Sequence, residues 1–282
     1  MMNINEALLH ASAQFKKVNI VSALLDARLL LACALDKSHE YLLLNPDKIL
    51  TIDEQERFLE LVDVRYTHKP LAYILGYKEF YGRNFKLNDN VLIPRPDTEV
   101  LIDVVVSNVA VPNPRILELG CGSGCIVISL LLEIPKAYGV ACDISKDALS
   151  VTSENSIFRN VERRLEIINS NWFDNIKDQK FDIIVSNPPY IAESEKSLVS
   201  RETILFEPHL ALFADDAGLA AYKIIASQAS KFLKNDGMLV LEIGFNQLEA
   251  VKQIFVTSGF TFKNSHKDIN NHDRVVAFTL CD

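Results

Sequence analysis

No uninterrupted apolar stretch in the 282-residue chain approaches the roughly 20 residues a membrane helix needs, and no basic segment followed by an apolar core stands at its start. Both absences lead to the expectation of a cytoplasmic protein with no membrane partner. Cysteine is scarce: Cys33, Cys121, Cys125, Cys142 and Cys281 are an odd set without a Cys-x-x-Cys pair, which suits reduced, buried thiols rather than a disulfide framework. The six histidines are scattered, with no ligand spacing to each other or to cysteine, so no metal is expected. Positive charge is short as well. The formal net charge is −8 and no block of lysine or arginine occurs, so no stable nucleic-acid binding is expected, although an acidic protein can still bind nucleic acid locally. Internal repeats and low-complexity segments are missing too. What remains, 49% apolar and 23% charged residues, is the composition of a globular protein with room for one large and one smaller domain.

Residues from Asn5 to about Lys69 carry helical patterns and no convincing strand. Glu6-Ala7-Leu8-Leu9 opens an apolar stripe toward Phe15, and Ser22 to Leu35 is apolar on most faces apart from Asp26 and Arg28, as a helix central to a bundle would be. Thr51 and Glu54 have capping-box spacing ahead of Phe58, Leu61 and Val62. A helical bundle accounts for these residues, and periodicity assigns it no function. From Pro70 the character changes. Aromatic and branched residues around Asn88-Asp89-Asn90 suggest a hairpin that continues through Val91-Leu92-Ile93 to Pro94-Arg95-Pro96-Asp97-Thr98-Glu99, with a helix starting near Asp97. The expected organisation is a helical bundle over residues 1–75, a β-hairpin linker over 76–96 and an α/β domain over 97–282.

Beyond Glu99 strands and helices alternate, the pattern of a parallel sheet with helices on both faces. Arg115–Leu119 reads as a strand, followed by Gly120-Cys121-Gly122-Ser123-Gly124 and an apolar helix from Cys125 to Glu133. Glycines at alternate positions let the backbone turn sharply and let a ligand approach it at a helix N-terminus. The next strand, Tyr138–Asp143, ends in a carboxylate about 20 residues after the loop. There an acceptor-only group can take both hydroxyl protons of a ribose; alternatively, Asp143 caps the helix from Ser145 to Phe158. A third strand, Leu165–Ile168, precedes Asn171-Trp172-Phe173, and Trp172 either joins the core or covers an adenine face.

The fourth strand begins at Phe181 and halts at Asn187-Pro188-Pro189-Tyr190. Proline after Asn187 favours extended geometry, and neither proline has an N–H, so the edge offers carbonyls without matching donors and can hold a flat, amino-bearing group. Many Asn-Pro dipeptides do no more than stop a strand. Open α/β sheets bind ligands outside the carboxyl ends of the strands, where strand order reverses, so the glycine loop and Asn187 should face one cleft. The remainder reads as a helix from Leu219 to Leu233, a turn at Asn235-Asp236-Gly237, a strand from Met238 to Ile243, a helix from Gln247 to Ser258 and a last run, Arg274–Leu280, that returns antiparallel.

A dinucleotide fingerprint needs G-x-G-x-x-G, whereas here the third glycine comes one residue early. Glu118-x-Gly120-x-Gly122-x-Gly124 instead resembles the first motif of Rossmann-like methyltransferases that bind S-adenosylmethionine. Taken in order with Pro70-Leu71-Ala72-Tyr73-Ile74-Leu75-Gly76, Glu79-Phe80-Tyr81-Gly82, Ile93 to Glu99, Asn187-Pro188-Pro189-Tyr190 and Glu207-Pro208, it makes nearly the whole chain similar to the protein-(glutamine-N5) methyltransferases that modify peptide chain release factors. The resemblance implies a Rossmann-like α/β domain with a mostly parallel seven-stranded sheet, preceded by a small helical bundle and a β-hairpin linker. It implies methyl transfer from S-adenosylmethionine to the side-chain amide nitrogen of a release-factor glutamine, leaving S-adenosylhomocysteine and modulating translation termination.

By the same resemblance, Glu118, Gly120, Cys121, Gly122, Ser123, Gly124, Asp143, Trp172 and Asn187 bind the cofactor. Asn187, Pro188, Pro189 and Tyr190 bind the glutamine; Asn187, Pro188 and Tyr190 are catalytic; and the helical bundle helps dock the release factor. Three positions depart from the family pattern: Asp97 replaces the more usual Glu, Asn171 stands where an acidic residue is common, and Asn271-His272-Asp273 precedes Arg274. An amide oxygen at Asn171 can accept from an adenine amino group without charge assistance. Arg95, Glu99 and Glu207 either line the cleft or serve as ion-pair partners and caps. Two rival readings are an amino-methyltransferase acting on an adenine or guanine base of DNA or RNA, and a non-catalytic cofactor-binding interaction module. A basic groove would support the first and none is visible; the intact Asn187 edge argues against the second.

Overall fold

A computed structural model describes residues 1–281 and divides the chain into two compact units, Met1–Gly76 with Ser200–Phe206, and Tyr77–Val199 with the residues from Glu207 onward. The smaller unit is helical: α1 (Ile4–Lys17), α2 (Ala23–Leu35), α3 (His39–Leu44), α4 (Ile52–Tyr66) and α5 (Leu71–Leu75). Reciprocal capping boxes start α1 at Asn3 and Glu6 and α4 at Thr51 and Glu54. Nearly apolar α2 is central, with Ala27, Leu30 and Leu31 buried among Phe15 of α1 and Phe58 and Val62 of α4. Of its two charged residues, Asp26 is buried and accepts from Arg65 Nε at 2.7 Å, while Arg65 Nη2 donates to Glu202 at 2.7 Å. Burying these charges is tolerable because each finds a partner.

The larger unit opens with the hairpin β1 (Tyr77–Phe80) and β2 (Arg83–Lys86), in which Phe80 faces Arg83. The turn is therefore Tyr81-Gly82, not Asn88 to Asn90, and Val91 to Ile93 forms no strand. Both turn residues have positive φ, the requirement of a two-residue hairpin loop. Phe80 and Phe85 are buried in the core of this unit, and Asn155 bonds both the N–H and the C=O of Lys86. The hairpin is thus packed into the larger unit.

Chain order then gives α6 (Glu99–Asn108), β3 (Arg115–Leu119), α7 (Cys125–Glu133), β4 (Tyr138–Asp143), α8 (Lys146–Phe158), β5 (Leu165–Asn169) and β6 (Phe181–Ser186). After β6 come α9 (Arg201–Phe206), which belongs to the smaller unit, then α10 (Asp215–Gly218), α11 (Ala220–Gln228), β7 (Leu233–Glu242), α12 (Leu248–Thr257), β8 (Phe260–Lys267) and β9 (Asp273–Leu280). The seven-stranded sheet runs β5-β4-β3-β6-β7-β9-β8, parallel from β5 to β7, with β9 antiparallel to both neighbours. The α/β class and the mostly parallel seven-stranded sheet are as expected.

Two details differ from the expectation. β7 starts at Leu233, which pairs with Phe181; the register then jumps to Met238 opposite Ile183, so the segment read as a turn is a bulge within the strand, and α11 ends early at Gln228. β8 escapes notice in the sequence because, as an edge strand, it is largely polar after Phe260 and Phe262. Central strands buried on both faces read as continuous apolar runs, whereas an edge strand does not. Strand order reverses between β3 and β6, and that crevice is where the site lies. Among the described residues, no helix is long and apolar enough to cross a membrane.

Candidate active site

At the end of β3, Gly120, Gly122 and Gly124 have φ of 68°, 53° and 75°, a region that L-residues enter only at a cost. A Cβ on Gly120 or Gly122 would meet nothing within 4 Å, whereas one on Gly124 would lie 2.8 Å from Thr152 Cγ2. The first two glycines bare their backbone to a cavity; the third lets α7 lie close to α8. Glu118 points the other way. It is 1% exposed, and its Oε2 accepts the N–H of Val127 at 3.0 Å, satisfying the start of α7. Burial pushes its carboxyl well above the ordinary range, against the pull of that bond. Cys121 is buried beside the Thr152 hydroxyl, and Ser123 is buried with its carbonyl accepting from Asn155.

Glu118, Cys121, Ser123 and Gly124 therefore shape the loop from behind, and Gly120 and Gly122 reach the cavity. The scaffold for the loop is α8, whose Thr152 Oγ1 donates to the Gly122 carbonyl at 2.8 Å and whose Asn155 Nδ2 donates to that of Ser123 at 2.9 Å. Sequence reasoning missed both. Their signal is two polar residues three apart on the buried face of an amphipathic helix.

The cavity, of about 210 Å³, is walled by the glycine loop, Asp143 to Ser145, Ser170 to Trp172, Asn187, Pro189, Asn90 to Leu92, and Pro208, Leu210 and Ala211. Asp143 Oδ2 accepts the Gly122 N–H and Oδ1 the Ser145 N–H, each at 2.9 Å. Burial raises its pKa while those two bonds oppose the rise. The cap of α8 is the hydroxyl of Ser145, which accepts from the Ala148 N–H at 3.2 Å, leaving Asp143 to join loop and helix start and to face the cavity. Trp172 packs on the core and also lines the cavity, with φ of 51° and a carbonyl that accepts from Ser170 Oγ at 2.9 Å. Exposed Ile144 also lines the wall, a role its position directly after Asp143 would have suggested.

Asn187 joins this cavity because β6 neighbours β3, and Ser186 Oγ ties the two strand ends by donating to the Leu119 carbonyl at 2.7 Å. Its Nδ2 donates to Thr98 Oγ1 at 3.3 Å. Pro189 lines the wall; buried Pro188 and half-buried Tyr190 do not. Tyr190 is held at both ends, its hydroxyl donating to Glu242 Oε1 at 3.2 Å and its carbonyl accepting from Gln247 Nε2 at 3.0 Å. Burial raises the pKa of both Tyr190 and Glu242; the charge of Glu242 adds to the rise of the phenol, whereas the hydrogen bond from Tyr190 opposes that of Glu242. Glu242 and Gln247 were not foreseen, although a glutamate closing the apolar run Met238 to Leu241 at the ligand end of a sheet is a readable sign.

The proline-marked motif is absorbed by tertiary bonds. Arg95 pairs with buried Glu207 at 2.6 Å, and Glu207 also accepts the Ile93 N–H at 3.1 Å, so two cavity walls are joined. Glu99 accepts the Tyr81 N–H at 2.8 Å, and Asp97 lies 3.8 Å from Arg274. The assembled site offers bare loop backbone, a carboxylate with further acceptor capacity, apolar surface from Ile144 and Trp172, and an acceptor edge. This donor set fits a nucleoside with an amino-acid tail, set beside a group bearing N–H.

Two family models match the chain, the PrmC N-terminal domain over residues 6–76 and the methyltransferase small domain over residues 96–212. The chain is 47% identical over 305 residues to a bifunctional methyltransferase of Rickettsia felis, covering 98% of this chain and 58% of that protein, so it spans little more than half the length of such relatives. It is 38% identical over 280 residues to the release factor glutamine methyltransferase of Agrobacterium fabrum, covering 98% of this chain and 96% of that one. A solved methyltransferase from Pyrococcus furiosus shares the fold, with a TM-score of 0.55 at 14% identity over 73% of this chain and 92% of that one. By sequence identity across nearly the full length of both proteins, joined to the architecture of the sheet and its crevice, the chain belongs to the release factor glutamine methyltransferase family.

Proposed function

We propose that this protein transfers a methyl group from S-adenosylmethionine to the side-chain amide nitrogen (N5) of a glutamine in a peptide chain release factor, and so modulates translation termination in the cytoplasm. The observation that carries the reading is that the bare backbone of Gly120 and Gly122 and the acceptor edge at Asn187 end adjacent strands and line one cavity. In this reading Gly120 and Gly122 hold the amino-acid tail, and Asp143 takes the ribose hydroxyls with its remaining lone pairs. Ile144 and Trp172 flank the adenine, and the Asn171 amide reaches the adenine amino group. Glu118, Cys121, Ser123 and Gly124 contribute by shaping the loop. When bound, S-adenosylmethionine supplies an electrophilic methyl group on a sulfonium centre.

An amide nitrogen is a poor nucleophile because its lone pair is delocalised into the carbonyl. Asn187 Oδ1 and the Pro188 carbonyl each accept one N–H of the substrate, which orients the nitrogen and turns its lone pair toward the reaction. Pro189 walls that position. Tyr190, anchored by Glu242 and Gln247, fixes the plane against which the substrate amide lies. Positioning then provides most of the catalysis; the amide nitrogen gives up one proton to solvent during or after it gains the methyl group, so no strong base is needed before attack. The helical unit docks the release factor. Among the described residues, the cavity walls hold no lysine or arginine, which lends a nucleic-acid base as the substrate no support.

The test is Asn187→Ala, assayed with a release factor. Turnover should fall about 10²-fold or more with an unchanged unfolding transition, by analogy with losing one oriented hydrogen-bonding group. Near-normal transfer would refute the mechanism.

A further inference from the structure

Between Ser186, whose hydroxyl is tied to the Leu119 carbonyl, and Ile191, whose N–H donates to the Leu212 carbonyl at 3.0 Å, the acceptor edge runs through Pro188 and Pro189. Neither proline has an N–H, so the middle of the edge cannot be tied by its own donors, and two fixed φ angles make it stiff. A shift of the Tyr190 carbonyl is therefore carried back to Pro188 and Asn187. That carbonyl is gripped from two sides. Gln247, 7% exposed, accepts the Gly244 N–H on Oε1 and donates from Nε2 to the Tyr190 oxygen, each at 3.0 Å. A main-chain donor at one end and a main-chain acceptor at the other admit only this orientation of the amide. Against the other side lies Gly218. A Cβ there would stand 2.9 Å from the Tyr190 carbonyl carbon, nearer still to its oxygen, and 2.7 Å from Gln247 Nε2. The first two are main-chain atoms, which cannot swing aside as the end of a side chain can.

Gly218 reaches this place through a strained turn. Asp216, Ala217 and Gly218 take φ of 55°, 54° and 82° in succession, and a left-handed alanine persists only where its surroundings enforce it. Here Ala214 donates its N–H to the Ile191 carbonyl at 2.9 Å, Gly218 donates to the Ala214 carbonyl at 3.2 Å, and Lys223 pairs with Asp216 at 3.0 Å. The first of these bonds closes the turn onto the residue after Tyr190.

We propose that Gly218 and Gln247 are positioning residues that together seat the Tyr190 carbonyl and so set where Asn187 and Pro188 present their oxygens to the substrate amide. This deepens the methyl-transfer reading and rests on it: the Glu242 contact holds the Tyr190 ring, whereas the seat holds the main chain from which the acceptor oxygens project.

The test uses Gly218→Ala and Gln247→Met, which disturb the seat from opposite sides, with Gly259→Ala as the control, because Gly259 has φ of 88° and open space where a Cβ would go. Each of the first two should lower kcat on a release factor about 10-fold or more, as expected for misplacement of a substrate-orienting group, with KM for the factor within about threefold and S-adenosylhomocysteine affinity within about twofold of normal. Gly259→Ala makes the same backbone demand without the contact and should keep kcat within about threefold. Should Gly218→Ala fail to fold, Gln247→Met decides alone. A Gln247→Met kcat within about threefold of normal, a loss carried by KM or cofactor affinity instead, or an equal loss of kcat in Gly259→Ala would overturn the seat.

A second readout needs no turnover. In the nitrogen-15 side-chain amide spectrum of the protein with S-adenosylhomocysteine, the Asn187 pair, identified by its loss in Asn187→Ala, should move in Gln247→Met and stay in place in Gly259→Ala. An Asn187 pair unmoved in Gln247→Met overturns the seat as well. Absence of methyl transfer by the unmodified protein would instead defeat the functional reading and leave the spectrum to decide the seat.

Discussion

Replacing Asp143 by asparagine probes the cofactor side of the site through a change of one atom. Both carboxylate oxygens already accept backbone N–H groups, Gly122 on Oδ2 and Ser145 on Oδ1, each at 2.9 Å. Asparagine keeps one acceptor and sets an amino group against the other N–H. One charge-assisted bond is lost, about 1.5–3 kcal/mol, and the other weakens by about 1 kcal/mol. Release of a partly buried charge offsets some of this, so stability should fall by a net of about 1–3 kcal/mol. In the proposed reading the cofactor also loses one charge-assisted bond from a ribose hydroxyl, which corresponds to a roughly 10- to 150-fold rise in dissociation constant.

Titration calorimetry with S-adenosylhomocysteine measures this directly, and affinity within about threefold of normal would remove Asp143 from the ligand site. The pH dependence has opposite signs in the free and bound proteins. Because the folded pKa of Asp143 is raised, its contribution to the stability of the free protein is present at low pH and lost as pH rises through that value. In the proposed reading a bound ribose favours the charged form, so affinity should instead increase over the same rise. Asp143→Asn should show neither dependence.

Gly124→Ala should destabilise by about 2–4 kcal/mol, combining a left-handed alanine with a Cβ 2.8 Å from Thr152 Cγ2. Gly122→Ala, with the same backbone demand and open space, should cost about 1–2 kcal/mol, and equal melting temperatures for the two variants would contradict the packing role of Gly124. Glu118→Gln keeps an acceptor for Val127 and removes a titrating group. The raised pKa of Glu118 means that its stabilisation is full below the unfolded value near pH 4 and declines as pH rises through the folded one. Urea midpoints for Glu118→Gln should therefore fall less than those of the unmodified protein as pH increases, and superimposable profiles would show that Glu118 does not titrate as its burial requires.

The features legible in the sequence are local. Alternating glycines, a carboxylate closing the next strand and an amide before two prolines each depend on a few consecutive residues, and the alternation of helix and strand brings them to one end of a parallel sheet. The features that were not legible depend on partners far along the chain. Tyr81 takes a left-handed turn position that its own side chain disfavours; Glu99 holds its N–H and Asp103 its hydroxyl. Thr152, Asn155, Glu242 and Gln247 are polar residues in otherwise apolar surroundings, and each is explained by a loop atom that folding brings to it. Asn187 and Thr98 stand 89 residues apart, and only strand order makes them neighbours. β8 was hidden for a different reason, since an edge strand buries too little to show an apolar pattern.

The most direct measurement follows a labelled methyl group from S-adenosylmethionine in the presence of this protein and, separately, an unmodified release factor, the same factor with its loop glutamine replaced, and bulk nucleic acid. Label on the unmodified release factor alone, located at the glutamine side-chain nitrogen, is the expected result. Label on the glutamine-substituted factor or on nucleic acid would contradict the assignment of the Asn187 edge to a protein amide.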